Sequence, residues 1–188
     1  MRFLSLLAAL ALLTALNTAQ AADVDTFDIL GMQLGDDLKT VKAKLAKHGF
    51  ERIETRGRIR DVGPYTYLTV NDWEANRQPP GRTIMAEIGH ATGLYKLEYV
   101  QEPLAYSAMP EVTKQVCQKY GNEPPACQDT YGGLLIWRDD QELSKSLKIR
   151  VAGALHMRLE DRDAYFANLQ QYRMDQGAGR FRPTDLQF

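Results

Sequence analysis

The apolar period of this chain switches from helical to strand spacing twice, and that constrains its fold more than any other feature. Leu34, Leu38, Val41 and Leu45 recur at helical spacing, and from Glu51 to Arg60 the period drops to two. The switch falls at Gly49, placed to take the left-handed conformation that ends a helix, with Phe50 ready to fold back as its apolar contact. Gly35-Asp36-Asp37 can cap the start, and Asp36 and Asp37 sit at the positive end of the helix dipole. The pattern then recurs. A helix from Ser107 or Met109-Pro110 carries Val112, Val116 and Tyr120 and stops at Gly121, and Pro124-Pro125 forbids its continuation. Strands follow again. A helix with one apolar stripe and strands with one apolar face bury those surfaces against each other. The expected fold class is therefore α+β, with two fused units of helix packed on antiparallel sheet. The first unit spans 22–104 and the second 105–174, with a flexible tail at 175–188.

In the first unit Ile53, Thr55, Gly57 and Ile59 fall on one side of a strand, and Arg52, Glu54, Arg56, Arg58 and Arg60 on the other. Asp61 to Pro64 reads as a turn, Tyr65–Asn71 as the second strand, Asn76–Gly81 as a loop, Arg82–Ile88 and Leu94–Gln101 as the third and fourth strands. In the second unit Tyr131–Arg138 is a strand, Leu147-Ile149-Val151 and Leu155-Met157-Leu159 alternate around a bend at Gly153, and Asp161 or Asp163 caps a C-terminal helix bearing Tyr165, Phe166, Leu169 and Tyr172. Lys47-His-Gly49 lies 72 residues before Lys119-Tyr-Gly121. That offset aligns Leu45 with Cys117 and Tyr65 with Trp137, as a repeat of architecture would.

Residues 1–21 read as a secretory signal peptide. Met1-Arg2 is a basic start, Phe3 to Leu16 is apolar apart from Ser5 and Thr14, and Ala19-Gln-Ala21 presents small residues for cleavage. The run falls short of the ~20 apolar residues a membrane span needs, and no cysteine stands by the cleavage site to carry a lipid. The expected localisation is periplasmic or secreted. Two cysteines, Cys117 and Cys127, fit an oxidising compartment and predict a structural disulfide. Their spacing is far wider than the Cys-x-x-Cys of a redox pair.

The side chains exclude several chemistries. Lys+Arg 23 against Asp+Glu 24 leaves a net charge of −1, so a general nucleic-acid binder is not expected. His48, His90 and His156 are far apart, which predicts no metal site, and no cofactor motif is present. Ser107, Ser144 and Ser146 lie outside any nucleophile turn. The acidic groups Asp36/Asp37, Asp139/Asp140 and Glu160/Asp161/Asp163 read as caps and loop residues, so no catalytic residue is assigned. What remains is surface: Arg56, Arg58 and Arg60 form a ladder, with Tyr65, Tyr67 and Trp73 close behind. Arg, Tyr and Trp are the types enriched in binding hot spots. These six are the candidate binding residues.

The stretch Phe27-Asp-Ile-Leu-Gly31-Met-Gln-Leu34-Gly35-Asp-Asp-Leu38-Lys-Thr-Val41-Lys-Ala-Lys-Leu45 resembles the opening of the repeat unit in β-lactamase inhibitor protein and the SmpA/OmlA outer-membrane assembly lipoproteins. The resemblance implies short helices on an antiparallel sheet whose open face binds another protein. The chain lacks the lipid-attachment cysteine of the assembly lipoproteins, which speaks against an anchored role. The expected function is an exported, non-catalytic protein-binding module: an inhibitor, an immunity-type protein or an envelope-assembly accessory, partnered by another envelope or exported protein. The alternatives are a small hydrolase with dispersed carboxylates and a carrier of a small ligand or glycan.

Overall fold

A computed structural model describes residues 24–50, 53–60, 63–71, 81–121, 134–138 and 144–177. Helix α1 is Leu38–Lys47, followed by strands β1 (Ile53–Arg60), β2 (Gly63–Asn71), β3 (Gly81–Gly89) and β4 (Gly93–Glu102). Helix α2 is Met109–Tyr120, entered through a 3-10 turn at Tyr106–Ala108, and β5 (Leu134–Arg138), β6 (Lys145–Val151), β7 (Leu155–Asp161) and helix α3 (Arg162–Gly177) complete the order. The seven strands form one antiparallel sheet in the order β1-β2-β3-β4-β7-β6-β5. Each helix–meander unit supplies part of it, and the two meet where β4 pairs with β7. The fold is α+β, with the C-terminal helix in place.

The first helix is built as its residues dictate. The Asp37 carboxylate accepts from the Thr40 amide at 2.6 Å, satisfying one orphan donor of the first turn. Val41 and Leu45 are fully buried. Gly49 has φ 82, the Phe50 amide donates back to Leu45 O at 3.2 Å, and the Phe50 ring is buried. Gly93 has φ 74, and a Cβ there would collide with the backbone of Gly35. That close approach lets the Gly35 amide donate to Leu94 O and the Leu94 amide to Asp36 O, each at 2.8 Å, which docks the entry to α1 on the start of β4.

The register sorts every strand residue to one of two faces. On the inner face Ile53, Val70, Ile84 and Tyr99 form one cross-strand row, and Leu97, Leu159 and Leu147 another. Both rows join the main core with Val41, Leu45, Val116 and Tyr120. Trp137 packs there between Phe27 at 6.4 Å and Tyr120 at 5.7 Å. The offset that aligns Tyr65 with Trp137 does not carry to three dimensions: Trp137 lies on the inner face and Tyr65 on the outer.

The outer face is covered in part. Helix α3, capped by the Asp161 carboxylate accepting from the Ala164 amide at 2.9 Å, lies across β2, β3 and β4. A Cβ on Gly89 would stand 2.8 Å from Asn168 Oδ1 and 2.6 Å from Thr92 Oγ1, so glycine is what lets the helix approach this closely. Tyr165 faces the sheet, whereas Phe166 remains 52% exposed. No described helix is long and apolar enough to cross a membrane. Residues 1–21 lie outside the described residues, as do 178–188 of the expected tail; α3 itself runs to Gly177.

Candidate functional site

The β1–β2 register sets Tyr67 directly opposite Arg56, and Tyr65 opposite Arg58, and the two tyrosines stand on one face of the sheet. Their environments then diverge. Tyr65 is 1% exposed, packed edge-on to Tyr95 at 6.3 Å, and Tyr95 in turn meets Tyr165 of α3 at 5.8 Å. Tyr65 therefore belongs to a small second core beneath α3 rather than to the surface. Tyr67 is half-buried at the edge of that core. Arg56 stays exposed, and its 3.4 Å contact with Glu54, both side chains 68% exposed, is worth little in water. Arg58 and Arg60 lie in β1, but their side chains, like Trp73 and Cys127, fall outside the described residues. Cys117 is buried on the inner side of α2 and is not a free thiol.

Beyond α3 the outer face carries a row of ion pairs across β3, β4, β7 and β6. Lys96 meets Glu87 at 3.1 Å and Glu98 at 3.3 Å, Arg158 reaches Glu98 at 3.7 Å and also Glu160, and Lys148 meets Glu160 at 2.7 Å. The pleat makes this possible: Lys96 and Glu160 are cross-strand partners, as are Glu98 and Arg158. Tyr95 closes the row under α3, donating to Glu87 Oε2 at 3.0 Å. Burial, reinforced by Glu87, pushes the Tyr95 phenol well above its ordinary value. Burial works to raise the Glu160 carboxyl, but the hydrogen bond from Lys148 and the charges of Arg158 and Lys148 outweigh it and hold it below the usual range.

The row ends at a shallow groove of about 260 Å³. Arg150 and His156 stand opposite each other there, with Leu134 opposite Arg150 on β5 and Val100 opposite His156 on β4. Arg150 has no ion-pair partner among the described residues, and Leu134 is 53% exposed. The patch is not visible strand by strand in the sequence, because β4 pairs with β7 rather than with β5, its neighbour in the chain, so its residues come together only in the folded sheet. The period-two alternation of Lys148 and Arg150 with Leu147 and Ile149 was the signal for their face.

On the inner side a second cavity, of about 350 Å³, opens between α2, the β4–β7 seam and the turn at Leu30. Among the described residues no group of three His, Cys, Asp or Glu side chains could hold a metal ion. No family model matches the chain, and no curated protein or solved structure is significantly similar to it.

Proposed function

We propose that the chain is an exported, non-catalytic protein-binding module that reads its partner with the part of the outer sheet face left open by α3. The observation that carries this reading is the ion-paired row ending at Arg150, His156, Leu134 and Val100. A row fixed by four paired strands presents charges of both signs in set positions, which favours one complementary surface and disfavours others. Arg150, with no ion-pair partner among the described residues, stands beside exposed apolar Leu134 and supplies an anchor at its end. The hydrolase alternative finds less support. Glu87, Glu98 and Glu160 each contact a cation, and Glu160 is held below the usual carboxylate range, where a general acid needs the opposite shift.

Export is supported by the apolar start and the Ala19-Gln-Ala21 site, and with it a bond between Cys117 and Cys127, the chain's two cysteines. The binding reading is tested by capture from envelope extract with wild type, Leu134→Asp, Arg158→Glu and Lys114→Glu, the last on the exposed side of α2. One protein retained by wild type and Lys114→Glu but lost by the other two, at unchanged melting temperature, is the expected result. Retention by all four would overturn it.

A further inference from the structure

The inner cavity has the build of a small-molecule site, and it lies on the opposite side of the sheet from the proposed protein surface. Its floor is the β4–β7 seam, where Tyr99 pairs with Met157 and Gln101 with Leu155. Its wall is the side of α2 that carries Val112, Val116 and Lys119. About 350 Å³ lies within the range of pockets that enclose small ligands. The lining is mainly aliphatic, with Gln101 and Lys119 among its polar members.

Those polar groups have donors to spare. Tyr99 donates to Gln101 Oε1 at 2.7 Å, which fixes the amide and leaves Gln101 Nε2 with no partner among the described residues. Lys119 Nζ donates to Asp28 Oδ1 at 3.0 Å and Asp28 O at 3.2 Å, and an ammonium has three N–H groups. Gln101 and Lys119 together therefore offer donors next to an apolar chamber.

The backbone at the mouth supplies an independent sign. Leu30 is the only non-glycine with positive φ among the described residues, at 55°, followed by Gly31 at 76°. The pair forms a two-residue turn between Ile29 and Met32, whose amides exchange hydrogen bonds at 3.0 Å. Such turns favour Asn or Gly at the first position, and a leucine there is strained. The strain places an aliphatic side chain on the cavity, and strained residues persist where the surroundings use them.

We infer that this cavity binds a small amphiphile, an apolar chain with a hydrogen-bond-accepting head such as a medium-chain carboxylate, the head at Gln101 and Lys119 and the chain under Leu30. The probe is decanoate, kept below its micelle concentration and titrated into the full chain by calorimetry, with decyltrimethylammonium as the cationic counterpart. The expected result is one decanoate per chain and no saturable binding of the cation. Val112→Trp, which fills the chamber, is expected to weaken decanoate at least about tenfold. Leu30→Gly relaxes the turn and removes the apolar wall; it is expected to weaken decanoate by roughly tenfold while the melting temperature holds or rises. Absence of saturable decanoate binding, equal binding of the cation, or unchanged affinity in Leu30→Gly would overturn the inference, whatever the folding of Val112→Trp. None of these outcomes touches the outer-face reading, which rests on other residues.

Discussion

Tyr65 shows how a residue can be placed on the correct face and still do something else there. Alternation sets it opposite Arg58, and the register agrees; yet it is buried, because a helix 97 or more residues later in the chain lies over it. Gly89 is the residue that permits this cover. Gly89→Ala is expected to push Asn168 and Thr92 apart and cost about 1–3 kcal/mol, read as a lowered urea midpoint with unchanged slope. No change in midpoint would mean that α3 does not press on β3. The ion-paired row gives a second expectation. A carboxyl held below its ordinary value stabilises the fold above that ordinary value, about 4.3 for glutamate, and the contribution fades as pH falls through the lowered one. Glu160→Gln is expected to cost about 1 kcal/mol or less at neutral pH, its cations being partly exposed. Its urea midpoint is expected to fall less steeply than wild type below about pH 4.3. Parallel slopes would refute the pairing.

Elements with a strong period were legible in the sequence. The stripe at Leu38, Val41 and Leu45 and the alternation through Ile53–Arg60 are local signals, and local geometry decides them. Gly49 and Gly121 end their helices at φ 82 and 93, a backbone region that glycine enters without strain. What was not legible depends on elements far apart in the chain. Helix α3 buries only Asn168 completely and leaves Phe166 exposed, so its apolar residues do not say which face of the sheet it covers. At Glu87/Ile88 the register shifts, and the extra residue on β4 lets Tyr95 and Lys96, adjacent in sequence, both stand on the outer face and both reach Glu87. The proposed bridge between Cys117 and Cys127 belongs to this scale, since it would tie the end of α2 to the segment before β5. Labelling of exported protein without reductant is expected to find no reactive thiol, and two labelled cysteines per chain would refute the bond.

At the scale of the whole molecule, β2-β3-β4 and β7-β6-β5 mirror each other about the β4–β7 seam, and β1 extends one side. This arrangement creates both candidate sites. Seven strands make a sheet wider than one helix covers, and α3 does not reach the β7-β6-β5 part of the outer face. On the inner side the gap beside α2, over the seam, is where the 350 Å³ cavity forms. Neither site could be read along the chain, because each assembles residues from both units. On the proposed reading the partner meets the β5 side of the outer face and not the β1 side beyond α3. A photo-crosslinking residue placed at Leu134, and separately at Arg56, tests it directly in envelope extract. A discrete protein adduct is expected from position 134 and none from position 56; an adduct from position 56 with none from 134 would put the partner on the wrong side of α3 and overturn the reading.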